Sequence, residues 1–399
     1  MGLNDTPASE RVHIGFFGCT NAGKSSVVNA VTGQNLAIVS DVSGTTTDPV
    51  LKTMELLPLG PVVIIDTAGI DDTGELGQLR MKKSRDILRK TDIAVLVVDA
   101  AAGLSPADVS LIGDFGRLGV PYIIAYNKCD LLKSIPAPAK REIYVSAKSG
   151  ENISELKERI AALKPEGREK PLISDKLSRG DIVILVVPID KSAPKGRLIL
   201  PQQQTIRDVL SVGALSLVTG VGELSDALAR LRGGVRMVIT DSQVFSEVSR
   251  IVPPDVPLCS FSILFARLKG DLKTLTDGAR TLKDLPDGAR VLISEGCTHH
   301  RQCEDIGTVK LPKWIREYTG RDIGFEFTSG GEFPDDLSRF SLVVHCGGCM
   351  LNEREMKHRI AKAKLDGVPI TNYGTAIAEM KGILKRSLEI FEGTDENGY

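Results

Sequence analysis

Gly18-Cys19-Thr20-Asn21-Ala22-Gly23-Lys24-Ser25 closes an apolar run over 13–18 and opens an amphipathic stretch over 24–32. The octet fits the pattern G-x-x-x-x-G-K-S/T in the strand–loop–helix context that gives the pattern its meaning. Backbone amides and the helix N-terminus are expected to cradle phosphate oxygens there. Lys24 is expected to reach the β- and γ-phosphates and Ser25 to bind magnesium, with Asn21, Ala22, Gly23 and Ser26 completing the cradle. Outward from this loop, strand-like runs at 13–18, 62–66, 93–99, 122–127 and 142–146 alternate with helix-like segments such as 24–32 and 75–90. Such alternation predicts an α/β fold with a doubly wound, mostly parallel sheet.

Further motifs stand in register behind the first. Asp66-Thr67-Ala68-Gly69 follows the run at 62–65, so Asp66 is expected to hold magnesium through water and the Gly69 amide to sense the γ-phosphate. Upstream, Gly44-Thr45-Thr46-Thr47-Asp48 offers a hydroxyl to magnesium from Thr46, with Thr45 as the alternative. Asn127-Lys128-Cys129-Asp130 ends a strand, and a carboxylate there accepts both N1–H and N2–H of guanine, which adenine lacks. A site built on such hydrogen bonds rejects the wrong partner by roughly 10⁴. Ser146-Ala147-Lys148 follows the next strand and can meet the guanine oxygen through backbone amides. The nucleotide is therefore expected to be GTP, with Lys24, Asn21, Thr46 and Gly69 as the candidate catalytic set.

These motifs resemble the translation-factor-related GTPases, in the branch that contains MnmE and Era. The residue after Gly69 is Ile70, so no glutamine stands there to orient water. The resemblance implies that Asn21 helps bind a potassium ion in place of an arginine finger; the alternative is that Asn21 only shapes the loop.

A charged linker rich in proline and glycine follows at 164–180. Beyond it, a small α/β block is expected, with strands at 182–188 and 236–240 and helices at 204–212 and 223–231. A third block carries strand-like runs at 290–294, 341–345 and 368–371 and helices at 353–365 and 375–391. The domain bounds so read are 1–168, 175–258 and 259–399.

The third block holds the second chemistry. Cys297-Thr298-His299 is answered 46 positions after His299 by His345-Cys346-Gly347-Gly348-Cys349. Each segment follows a strand, and ligands of parallel sheets bind beyond the carboxyl ends of strands. Soft thiolates select zinc or iron–sulfur. Cys297, Cys346, Cys349 and one histidine satisfy tetrahedral zinc. A [4Fe-4S] cluster takes four thiolates, and with three it keeps one exchangeable corner. Cys303 is read as a nearby non-ligating thiol, with the alternative that it is a fourth thiolate, and His300 and His358 are read as surface histidines. Cys19, Cys129 and Cys259 are read as small, partly buried hydrophobes.

C-x-H followed by H-C-x-x-C, behind a GTPase domain and a middle α/β domain, resembles the HydF family of [FeFe]-hydrogenase maturation GTPases across essentially the whole chain. The resemblance implies a [4Fe-4S] cluster on Cys297, Cys346 and Cys349, with His299 and His345 ligating it or surrounding it. It implies a scaffold that receives the transient di-iron subcluster, made with two radical-SAM maturases of the HydE and HydG type, and hands it to apo-[FeFe]-hydrogenase. It also implies a homodimer formed through the middle domain.

Bulk properties agree with that frame. A net charge of −1 advertises no affinity for nucleic acid, and the third block shows no basic domain, which argues against the alternative of an RNA-modification or ribosome-assembly GTPase with a structural zinc module. Apolar runs such as 182–189 are too short to span a bilayer, and residues 1–11 lack the apolar core of a signal peptide, so the expected location is the cytoplasm, with no membrane partner. Seven cysteines in that compartment do not suggest a disulfide framework.

Overall fold

A computed structural model of the chain describes residues 7–34, 50–69, 75–164, 170–188, 198–296 and 306–391, with the side chains of 75–80 excepted. The chain divides into two compact units, Met1–Arg168 and Glu169–Tyr399.

The first unit runs β1 (Val12–Phe17), α1 (Lys24–Thr32), β2 (Val50–Leu56), β3 (Gly60–Asp66), α2 (Glu75–Leu88), β4 (Ile93–Asp99), α3 (Pro106–Arg117), β5 (Tyr122–Asn127), β6 (Glu142–Tyr144) and α4 (Ile153–Ala162). Its sheet has the order β2-β3-β1-β4-β5-β6, parallel except for β2, which pairs antiparallel with β3. Ile14, Phe16 and Phe17 and the residues Ile93 to Val98 are buried, because helices cover both faces of a parallel sheet. β2 is absent from the sequence reading. Its Lys52, Thr53 and Glu55 face solvent at the sheet edge, so it carries no apolar run to betray it. α3 is also absent from that reading, although Ser105 and Asp108 form a reciprocal capping box and Pro106 stands at its start.

The second unit contains two four-stranded parallel sheets. The first comprises β7 (Ile182–Val186), α5 (Leu200–Ser211), β8 (Leu215–Thr219), α6 (Leu224–Arg230), β9 (Val235–Thr240), α7 (Phe245–Ile251), β10 (Leu258–Ser260) and α8 (Phe261–Lys269). The second comprises α9 (Leu272–Arg280), β11 (Arg290–Ser294), α10 (Leu311–Thr319), β12 (Gly324–Thr328), β13 (Leu342–His345), α11 (Glu353–Leu365), β14 (Ile370–Asn372), α12 (Tyr373–Met380) and α13 (Leu384–Leu388). The orders are β10-β9-β7-β8 and β12-β11-β13-β14. Counted along the chain, both sheets follow the same winding. The first strand lies inside, the second goes to one edge, and the third and fourth go to the other side. The direction of winding therefore reverses at β7 and at β11, as it does at β1 in the first unit.

The boundary expected at 258/259 cuts through β10, which pairs with β9. Phe261, Leu264 and Phe265 of α8 then join the same buried cluster as Val183 and Ile239, so α8 packs with the first of these two sheets. The helix expected over 375–391 is broken between α12 and α13 by Gly382, whose φ of +70° no helix accommodates. β8 and β12 are further strands that the sequence reading lacks. Both are edge strands, and Leu215, Leu217 and Val218 of β8 are exposed. Among the described residues no helix is long and apolar enough to cross a membrane.

Candidate nucleotide and thiol sites

The phosphate loop emerges from β1, between β3 and β4 where the sheet reverses direction, the place where doubly wound sheets bind ligands. Gly18 approaches β4 so closely that a Cβ would lie 2.2 Å from the Val97 carbonyl oxygen. Gly23 has φ +81° and leaves no room for a side chain beside the Asn127 amide. Lys24 and Asp66 are both buried, and the Lys24 ammonium and the Ser25 hydroxyl (3.1 Å) both donate to the Asp66 carboxylate. Thr67 anchors the start of the next loop through its hydroxyl on the Phe16 carbonyl at 2.8 Å. An ammonium, a hydroxyl and a carboxylate thus converge beside a helix N-terminus. That set can hold a phosphate chain and a hard, oxygen-loving cation. Gly69 packs against Thr20, whose hydroxyl would lie 2.7 Å from an added Cβ. Thr45, Thr46 and Ile70 lie outside the described residues.

The guanine-motif residues separate into two roles. Asn127 is buried; its Nδ2 donates to the Ala22 carbonyl at 3.0 Å and its Oδ1 accepts from the Ala147 amide at 3.1 Å. Lys128 donates to the Asn21 carbonyl and to Asp99, both at 2.7 Å. These two side chains tie the phosphate loop to the strand ends, and the Ala147 amide expected at the base is engaged by Asn127. Asp130 alone of the three is exposed. Asn21 has φ +67°, a conformation asparagine tolerates better than most residues, which gives its loop-shaping role a geometric basis. Asp99 escaped the sequence reading. Burial pulls its carboxyl upward, but the Lys128 ammonium and the amides of Ala101 and Ala102 outweigh that and hold its pKa below the usual value.

The thiol site occupies the equivalent reversal in the last sheet. Cys346 follows β13, and its sulfur accepts from the Gly296 amide at 3.0 Å and the Gly348 amide at 3.4 Å. Gly296 follows β11 and is the residue before Cys297, so that residue meets Cys346 across the β11–β13 pair. Two backbone amides are thus aimed at one sulfur. The turn closes through Gly348, at φ +63°, and a Leu351 amide bond to the Gly348 carbonyl at 3.1 Å. Burial pushes the Cys349 thiol up, opposed by the Lys269 charge and the Met350 amide. Cys297, His299, His300 and Cys303 lie outside the described residues, and among those described no three metal-ligating side chains converge. Two soft donors on one amide-lined turn fit a zinc or iron–sulfur site.

His345, expected either to ligate the cluster or to surround it, has its ring engaged within the protein. It is fully buried; Arg359 Nη1 lies 2.9 Å from its Nε2, and its Nδ1 lies 2.8 Å from the Cys346 carbonyl oxygen. A guanidinium only donates, so Nε2 accepts and the proton sits on Nδ1. Both ring nitrogens are engaged. Burial first, and then the Arg359 charge, push the His345 pKa down to about 3, so the ring is neutral. Arg359 is itself fully buried and also donates to Glu355 (2.9 Å), Ser294 (3.2 Å) and the Gly330 carbonyl (2.8 Å). It locks the carboxyl ends of β11 and β13 to α11. Cys129 and Cys259 are buried and Cys19 is half-buried, as small core residues; burial pushes the Cys259 thiol up to about 12.

Residues 172–270 match the family profile described as the hydrogen maturase F dimerization domain, and residues 273–390 match the hydrogen maturase F tetramerization domain. Together they span more than half of the chain. Residues 13–128 match the profile of a 50S ribosome-binding GTPase. The tRNA modification GTPase MnmE of Nitrosospira multiformis is 34% identical over 156 residues, 37% of this chain and 34% of its own. GTPase Der of Wolinella succinogenes is 32% identical over 169 residues, 38% of this chain and 36% of its own. The chain thus spans about a third of the length of the curated relatives it matches. The crystal structure of Aquifex aeolicus Era bound to GDP and aluminium fluoride aligns at TM-score 0.35 and 20% identity, over 56% of this chain and 98% of that one.

Proposed function

We propose, from the premise that this chain belongs to the hydrogen maturase F family, that it hydrolyses GTP and carries a [4Fe-4S] cluster as a scaffold for building the hydrogenase active site. In this reading it receives a transient di-iron subcluster from two radical-SAM maturases and delivers it to apo-[FeFe]-hydrogenase in the cytoplasm. The observation that carries the cluster assignment is the hydrogen bond from Gly296, the neighbour of Cys297, to the Cys346 sulfur. It supports a ligand set of Cys297, Cys346 and Cys349. The cluster, when bound, supplies a redox-active iron site with one corner open to a further metal unit. His345 orients the Cys346 main chain in this reading, and His299 is the remaining histidine available to that corner.

On the nucleotide side, Lys24 contacts the β- and γ-phosphates while Ser25, Thr46 and Asp66 hold magnesium. Asp130 recognises guanine, the Gly69 amide meets the γ-phosphate, and Asn21 contributes to a potassium site. Ser26, Thr45, Lys128, Ser146, Ala147 and Lys148 line the pocket. The exposed apolar edge of β8 supports pairing of two copies through the domain whose profile is named for dimerisation. The test is maturation itself. Chain loaded by the two maturases and mixed with apo-[FeFe]-hydrogenase should yield hydrogen evolution, and the Cys346→Ser chain should yield none. Equal activation by the two chains defeats the carrier reading.

A further inference from the structure

Lys269 ends α8, a helix otherwise buried through Phe261, Ile263, Leu264 and Phe265, and is itself only 5% exposed. Its ammonium lies over the Phe265 ring of its own helix, 5.6 Å from the centroid, and reaches beyond its own sheet. It donates to the carbonyls of Gly348 (3.2 Å), Cys349 (3.1 Å) and Leu351 (2.8 Å), all in the turn that carries the cysteine pair. A buried ammonium is costly unless its donors are satisfied, and a turn with several carbonyls pointing one way is costly unless they find donors. Each solves the other's problem. α8 lies in the stretch matched by the dimerisation profile, and the turn lies in the stretch matched by the tetramerisation profile.

We propose that Lys269 is a positioning residue for the thiol pair: from the neighbouring sheet it holds the 346–351 turn and fixes where Cys346 and Cys349 present their sulfurs. The holding role stands on the hydrogen bonds alone. A second consequence rests on the cluster reading above: a fixed cation beneath anionic sulfur ligands raises the reduction potential of whatever they bind.

Lys269→Met and Lys269→Arg test both parts. In apo-protein, hydrogen exchange of the turn amides, with Gly348 and Leu351 as reporters, should accelerate about tenfold or more in Lys269→Met, the equivalent of losing one charge-assisted hydrogen bond. Strand β11 should keep its protection, and Lys269→Arg should exchange closer to the wild type. Unchanged exchange at the turn in folded Lys269→Met overturns the holding role. In anaerobically loaded protein, the potential from an EPR-monitored titration should move negative in Lys269→Met and return towards wild type in Lys269→Arg. Full iron content with an unshifted potential overturns the charge role. A wild-type chain that takes up no iron–sulfur cluster defeats the cluster reading, and the exchange measurement then decides the holding role by itself.

Discussion

The phosphate loop and the thiol turn stand at the same topological place, the reversal point of a parallel sheet, yet they are built by opposite means. In the nucleotide site the chemistry is contiguous. Eight consecutive residues supply the loop, and the strand ends brace it through Asn127 and Lys128. In the thiol site the chemistry is assembled. Cys346 meets the residue before Cys297 across two strands, and two buried cations from α8 and α11 fix the surroundings. The middle sheet winds the same way and shows no such assembly among its described residues. Topology therefore supplies the crevice, and the residues delivered to it decide whether it becomes a site.

If the two sites are separately built, each should fail alone. Cys346→Ser should remove nearly all iron and sulfide and leave GTP hydrolysis intact. Lys24→Ala should lower hydrolysis by ~10²-fold or more, the scale of losing a preorganised charge at the transition state, and leave the iron in place. Iron assay and steady-state hydrolysis on both variants check the pair. Loss of both properties in one variant would merge what the comparison separates.

Assembly by buried cations predicts a stability effect at the thiol site. Arg359→Met strands Glu355 without its partner, and breaking such a buried pair costs about 3–5 kcal/mol. Urea unfolding of the second unit's signal should show it; a loss under about 1 kcal/mol would mean that α11 is not pinned through Arg359.

Legibility followed the same division. Motifs that are short and local, from Gly18 to Ser25 and from Asn127 to Asp130, were readable because each residue type has one chemical reason to be there. The paired cysteine segments stood out in the sequence as candidate metal ligands, since thiols at that spacing have few other uses. Lys269 and Arg359 were not. A lysine closing FSILFARLK and an arginine inside a charged helix look like solvated charge, and their partners lie 79 and 14 residues away. The edge strands β2, β8 and β12 were missed because half-exposed strands carry no continuous apolar run.

Smaller effects sharpen the picture. Asp130→Asn replaces an acceptor with a donor opposite guanine N1–H, an unpaired polar contact costing ~1–3 kcal/mol, so GTP affinity should fall at least about tenfold by titration calorimetry. Asn127 and Lys128, which brace the loop, should instead affect hydrolysis along with affinity. The smallest effect belongs to Asp271, which caps α9 by accepting from the Thr274 amide at 3.1 Å. Burial opposes its ionisation, but Lys364 and Thr274 outweigh burial and bring its pKa to about 2, below 3.8. A depressed carboxylate contributes stability above its unfolded value and loses it as pH falls through the folded one. Asp271→Ala should therefore cost about 0.5–2 kcal/mol at pH 7. Asp271→Asn should keep most of the cap and lose the dependence between pH 4 and 2, as thermal melts across that range would show.

The central claim is that the assembled site holds iron and sulfur. Purified without oxygen and reconstituted, the chain should be brown, contain about four irons and four sulfides, and give an EPR signal of a reduced cubane after dithionite treatment. That signal should vanish in Cys346→Ser. A colourless chain that carries one zinc under the same conditions, or one whose iron survives loss of Cys346, would contradict it.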